Sequence, residues 1–292
     1  MNRVLFFALL AWGFAACSPE PKPENNGCVV SILPLKFIVQ QIVGQDLKVE
    51  VLVPSGASPE TFEPTPKQFV KLNQAQFIFN VGLIDFETTL LSKIQDHTKV
   101  IDLSKGVQLI EGSCSHASTR SDHDPDSDGM HHQHGVDPHI WTSPKALMIM
   151  AQNAFAAIHK AYPDSVKYQK NFNKLMLQLE DLDERVQNKI KQSGIKYFIV
   201  YHPALTYLAR DYGIQQVAIE SDGKEPSARQ LAEIIRNARK EGVRKIFYQK
   251  QFPESVVMTI ANDIQAQYIE IDPLEEQVID NIDHITDLMT KQ

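Results

Sequence analysis

Four side chains in this 292-residue chain stand beside prolines in settings that could hold a metal ion. They are Glu60 in Ser58-Pro59-Glu60, His139 in Asp137-Pro138-His139, His202 in Tyr201-His202-Pro203 and Asp272 in Ile271-Asp272-Pro273. Imidazole nitrogens and carboxylate oxygens together suit a divalent transition ion. Proline fixes its own φ and restricts the residue before it, so less freedom is lost when a neighbouring side chain is pinned. Each motif also has a plainer reading, since His-Pro and Asp-Pro are common in turns. Asp272 would cap a final helix with Glu275 as its box partner. Glu220, at the end of another apolar run, is a candidate for the ion or for the second ring nitrogen of a ligating histidine, or has neither role. A different group of donors fills residues 111–136. His116, His123, His131, His132 and His134 lie there, five of the ten histidines, among Asp122, Asp124, Asp126 and Asp128. Imidazoles in such a segment gather zinc weakly, and the aspartates raise the local cation concentration; the alternative is an acidic spacer. A calcium loop starting at Asp124 fails, because its twelfth position is Gly135 and not a bidentate glutamate.

The elements around these residues alternate. Val29–Leu33, Leu47–Val53, Phe77–Val81 and Lys99–Leu103 read as strands, with helices at Pro34–Val43 and from Thr65-Pro66 to about Asn73. Ser143-Pro144 starts a helix running to about Ala161. From Asp164 to Ser193 there is no Gly or Pro, and Phe172, Leu175, Leu179, Leu182, Val186 and Ile190 recur at helical spacing. Such a helix reaches roughly 45 Å, enough to cross a small protein. A second series follows, with strands at Tyr197–Tyr201, Gln216–Ile219, Lys245–Tyr248 and Gln267–Ile271 and helices at Pro203–Tyr212, Ser227–Glu241, Pro253–Ile264 and Glu275–Met289. The expected fold class is α/β, with two lobes that each carry a mostly parallel sheet flanked by helices, joined by one long backbone helix. In open parallel sheets ligands bind beyond the carboxyl ends of the strands, which is where the candidate donors fall.

The first residues address the chain outward. Asn2-Arg3 precede an apolar run from Val4 that stops at Cys17, short of the about 20 residues a bilayer span needs. Phe14-Ala15-Ala16-Cys17 resembles a bacterial lipoprotein signal, with Cys17 as the lipidated residue and Ser18-Pro19-Glu20-Pro21-Lys22-Pro23 as a stiff tether. Export would permit a disulfide between Cys28 and Cys114, or leave two separate thiols. The formal charge of −7 and the lack of a basic block argue against a nucleic-acid partner. The expected division is a signal peptide (1–16), an anchor and tether (17–27), an N-terminal lobe (28–162) including the His/Asp-rich loop 111–136, a linking helix (163–193) and a C-terminal lobe (194–292).

Pro54-Ser55-Gly56-Ala57-Ser58-Pro59 with Glu63-Pro64-Thr65-Pro66, Asp137-Pro138-His139-Ile140-Trp141, His202-Pro203-Ala204 with Tyr207, Glu225-Pro226-Ser227 and Asp272-Pro273-Leu274 occur in one order. With them the chain resembles the ZnuA/TroA/PsaA-like metal-binding lipoproteins of bacterial zinc and manganese ABC importers over nearly all of residues 29–292. The resemblance implies two lobes around one ion, with His139, His202 and Asp272 as ligands. It implies zinc as cargo, with Mn2+ or Fe2+ as the alternative, an ABC permease as partner and no catalysis. It also implies a monomer held by lipid at the periplasmic or extracellular face of a bacterial membrane. One position departs from the family: Glu60 stands where a histidine is usual, giving a harder, more anionic set, or leaving Glu60 as a bystander. Glu63, Glu87 and Glu225 match family-like positions that support backbone or packing. Weaker alternatives are an exported zinc-dependent hydrolase, although no His-Glu-x-x-His or Gly-x-Ser-x-Gly occurs, and a metal-buffering or adhesive surface lipoprotein.

Overall fold

Among the described residues eight short parallel strands fall into two sheets of the same order, and the chain crosses from one to the other through a long helix. The computed structural model describes residues 27–111, 135–220, 224–252 and 254–291. In the first lobe β1 (Cys28–Val30), β2 (Val49–Val51), β3 (Phe77–Asn80) and β4 (Val100–Asp102) lie in the order β2-β1-β3-β4. In the second, β5 (Tyr197–Val200), β6 (Gln215–Ala218), β7 (Lys245–Tyr248) and β8 (Gln267–Glu270) repeat it as β6-β5-β7-β8. All pairings are parallel. The order reverses between β1 and β3 and between β5 and β7, and a crevice opens beyond the strand ends at such points.

The helices are α1 (Leu33–Val43), α2 (Pro66–Gln74), α3 (Asp85–Leu91), α4 (Pro144–Ala161), α5 (Val166–Ser193), α6 (Thr206–Tyr212), α7 (Ala228–Lys240), α8 (Glu254–Ile264) and α9 (Val278–Thr290). Local chemistry explains several starts. Thr65 with Gln68, and Ser227 with Gln230, form capping boxes, and the Ser143 hydroxyl accepts from Ala146 N–H. The 28-residue α5 ends at Gly194, whose left-handed φ of 69° suits glycine. Its buried stripe of Leu175, Leu179, Leu182, Val186 and Ile190 packs on α1 and α4 of the first lobe and on α9 of the second. One core therefore runs through both lobes. Alternation along β5 sends Phe198 and Val200 into that core, and Ile199 and Tyr201 into a second cluster with Ile246, Val257 and Ile260 on the other face.

Helix α3 is absent from the sequence reading. No residue before it offers a cap; instead the buried Glu87 reaches back and accepts from the N–H groups of Val81 (2.9 Å) and Gly82 (2.8 Å). Burial pushes its carboxyl up to about 7 against these bonds. Gly82 has a φ of 79° and lies so close to Asp102 that a Cβ would meet its Oδ1 at 2.6 Å, so any other residue there is strained and has to displace the Asp102 carboxylate. The consequence reaches the site, because Phe86 on α3 packs edge-to-face on Phe62 at 5.2 Å, behind the turn that bears Glu60. The last helix starts later than expected, at Val278, so Asp272 does not cap it. No described helix is long and apolar enough to cross a membrane.

Candidate metal centre

Glu60 lies in the single turn of 3-10 helix Pro59–Thr61, where Ser58 Oγ accepts from its N–H at 3.3 Å. His139 precedes another such turn, Ile140–Thr142. Asp137 fixes His139 twice, since its Oδ1 accepts from the backbone N–H at 2.9 Å and from the ring Nδ1 at 2.8 Å. Two bonds from the second lobe's side of the cleft lock this segment. Tyr207 on α6 donates to the Asp137 carbonyl at 2.7 Å, and Trp141 Nε1 donates to the Pro273 carbonyl at 3.0 Å. His202 follows β5 directly, at the reversal between β5 and β7. Gln249, just past β7, holds its backbone from both sides: Oε1 accepts from His202 N–H at 3.3 Å and Nε2 donates to His202 O at 3.0 Å. Phe252 stacks on the His202 ring at 4.9 Å and 16°. Glu220, beyond β6, takes Nδ1 of His202 at 2.6 Å.

Each imidazole thus has a buried carboxylate on Nδ1, which puts hydrogen on that atom and turns Nε2 toward the cleft. The two Nε2 atoms are 3.1 Å apart, and Glu60 Oε1 is 2.9 Å from that of His202. Ligand atoms of Glu60, His139 and His202 all lie within 4.8 Å of one another, the one such cluster among the described residues. Two nitrogens bound to one tetrahedral zinc at about 2.0–2.1 Å are about 3.3 Å apart, so the pair needs almost no movement to share an ion. The cleft narrows here to a cavity of about 40 Å³, which suits an ion with a water and is far below the roughly 300 Å³ of an organic-ligand pocket.

Electrostatics prepare the same exchange. Burial alone would lower the His202 pKa, but the hydrogen bonds and charges of Glu220 and Glu60 outweigh it and push it up to about 9. At neutral pH a proton therefore bridges the donors that a cation would bridge, and an incoming ion must expel it. Burial would raise the Asp137 carboxyl, yet the charge and hydrogen bonds of His139 hold it below its ordinary value.

The other expected residues fall elsewhere. The structure does not bring Asp272 into the three-donor cluster. Its Oδ1 accepts from Leu274 N–H at 3.0 Å, its carbonyl accepts from Asn281 Nδ2 at 2.8 Å, and Oδ2 is 3.9 Å from Lys250 Nζ. Glu220 takes the second ring nitrogen of His202, one of the roles open to it. Cys28 is buried in β1 with its thiol pushed up to about 12 by burial. Cys17, Cys114 and His116, His123, His131, His132 and His134 lie outside the described residues. Asp137, Gln249 and Phe252 were not among the site residues expected from the sequence. The Asp-Pro-His spacing was an available signal for Asp137, because a side chain two residues back can reach both the backbone and the ring. Nothing local pointed to Gln249 or Phe252, which meet His202 only once β7 lies beside β5.

Comparison with known proteins places this geometry. Residues 28–292 match the family model described as the zinc-uptake complex component A, periplasmic, or ZnuA. A high-affinity zinc uptake system protein ZnuA of Bacillus subtilis is 32% identical over 265 residues, covering 88% of this chain and 81% of that one. A zinc-binding lipoprotein AdcA of Streptococcus pneumoniae is 28% identical over 279 residues, and the chain spans 55% of its length. A crystal structure of ZnuA superposes with a TM-score of 0.79 at 28% identity, covering 90% of this chain and 97% of that one.

Proposed function

Because the chain belongs to the ZnuA family of periplasmic zinc-uptake components, we propose that it captures a divalent transition ion, zinc first, outside the cytoplasm and delivers it to an ABC-type permease. The observation that carries this reading is the convergence of the His139 and His202 Nε2 atoms with the Glu60 carboxylate, both Nδ1 atoms being occupied by carboxylates. The family is one of transport proteins and not of catalysts, and the small cavity fits an ion as cargo. Glu60, His139 and His202 supply three donors. The fourth position of a tetrahedral ion falls to Asp272, after its side chain turns from Lys250, or to water. Manganese or ferrous iron is the alternative cargo, since a second carboxylate in the shell hardens it.

Loading is a proton-for-metal exchange at His202, with Glu220 and Asp137 holding the rings in place before and after. The cross-lobe bonds of Tyr207 and Trp141, together with α5, oppose a wide hinge, so loading changes the lobe arrangement little. A monomeric chain anchored through lipid on Cys17, with the histidines of 111–136 as an auxiliary collecting segment, completes the proposal. Competition titration of chelator-stripped protein tests it. One tight zinc per chain is expected, with that binding lost when His139 and His202 are both replaced by alanine. Unchanged tight binding in that double variant removes the cleft as the capture site.

A further inference from the structure

Glu60 stands on a single turn of 3-10 helix with its side chain 34% exposed, so its place depends on what the turn packs against. Phe62 closes that turn and rests edge-to-face on Phe86, the second residue of α3, with 5.2 Å between ring centres. Ile84, just ahead of α3, is buried and lines the metal cavity together with Glu60. Ile84 and Phe86 both belong to the short segment 81–86 that joins β3 to α3. Three N–H groups of this segment, those of Val81, Gly82 and Ile84, converge on the Glu87 carboxylate at 2.9, 2.8 and 3.4 Å. Glu87 is itself fully buried. A charge so deep is costly unless its lone pairs are met. Starting α3 alone would not require one, because a serine or threonine at the cap position satisfies a first-turn N–H. The carboxylate does more than a cap does, since it ties the first turn of α3 back to the end of β3. Ile84 and Phe86 are thereby fixed together.

We propose that Glu87 is a positioning residue for the metal ligand Glu60. By clamping segment 81–86 it holds Phe86 against Phe62 and Ile84 in the cavity wall, and so sets where the Glu60 carboxylate stands in the cleft. The inference rests on the metal-capture reading and goes beyond it in giving zinc affinity a determinant outside the donor set. It also separates Glu87 from a residue that merely supports the fold. A general support matters to every donor alike, whereas Glu87 matters to zinc through Glu60.

Glu87→Gln keeps the shape but leaves one acceptor oxygen and sets an amide donor against the N–H groups. At pH 8, where the wild-type carboxyl is mostly ionised, its zinc dissociation constant should rise several-fold, up to the about tenfold expected for Glu60→Ala. In a Glu60→Ala background the same substitution should add nothing, because the ligand it places is gone. In a His139→Ala background, where Glu60 remains, the several-fold factor should persist. Phe86→Leu keeps the clamp and removes the edge-to-face contact, so it should follow the same pattern with a smaller factor. It decides the question alone if Glu87→Gln does not fold. A factor undiminished in the Glu60→Ala background overturns the role, since Glu87 would then support the fold at large. Wild-type zinc affinity in folded Glu87→Gln overturns it as well. Wild type and His202→Ala, titrated in parallel with zinc, read the capture site itself. A clear difference between those two, with either overturning result, leaves the capture reading standing. No difference between them sinks the capture reading and this inference with it.

Discussion

His139 and His202 present the same atom to the same point, and each has a carboxylate behind its ring, but they are held there in different ways. Asp137 is two residues from His139 and binds both its backbone and its ring, so that half of the site is a local loop motif. The partners of His202 are Glu220, Gln249 and Phe252, eighteen to fifty residues away along the chain, and they meet only because β6, β5 and β7 are neighbours in one sheet. A short loop can orient a ligand cheaply in sequence terms, whereas a sheet orients one through its register. The second arrangement also concentrates charge, because Glu220 and Glu60 both act on His202 and keep its proton to about pH 9.

Removing the rings separates the halves most strongly. His202→Ala should weaken zinc binding by at least about 100-fold, the scale of losing a ligand outright and more than loss of its outer partner. It should also reduce proton release on binding near neutral pH, because the proton held on His202 is no longer there to be displaced. Calorimetry in buffers of different ionisation enthalpy reads this, and proton release equal to that of wild type would mean that His202 does not supply the proton.

Next come the carboxylates behind the rings, each expected to cost roughly 10–100-fold in affinity when replaced by alanine. The sharper test is Glu220→Gln. Its amide oxygen can still accept from Nδ1, so the ring stays oriented while the negative charge that retains the proton is gone. The pH dependence of zinc affinity should therefore flatten with only a modest loss at pH 8. An unaltered pH profile would mean that Glu220 orients the ring without tuning it.

The wild-type profile has a definite sign. His202 binds its proton up to about 9 in the metal-free fold, and zinc must displace it, so affinity should rise as pH increases from 6 toward 9. Glu60→Ala should cost about tenfold, less than either ring, because its side chain is 34% exposed and water can take its place.

Metal-free stability should show the smallest effect. The folded pKa of His202 lies above its ordinary 6.5. The associated stabilisation is thus complete below 6.5 and lost as pH rises through about 9. A drop of a few degrees in melting temperature over that window is expected on the usual scale for a domain of this size, and Glu220→Gln should remove most of it. A melting temperature that rises across the window would reverse the assignment.

Much of the architecture was legible in the residues. The capping boxes at Thr65 and Ser227, the Ser143-Pro144 start and the apolar stripe of α5 are local patterns with local causes, and each produced its element. The two imidazoles and Glu60 were legible as donor types beside prolines. Helix α3 was not, because its cap is the side chain of Glu87 from inside the helix. Asp272 shows the limit from the other side, as its motif reads as well as the others but the structure turns its carboxylate toward Lys250 and the Leu274 N–H.

The sequence by itself thus determined which groups were available and roughly which strand ends would carry them, because turn chemistry and helical periodicity act over a few residues. Only the tertiary structure decided which donors meet, which nitrogen of each ring faces the cleft and how strongly His202 holds its proton. Those properties depend on sheet order and on packing across the two lobes, and both bring together residues that nothing in their immediate neighbourhood relates.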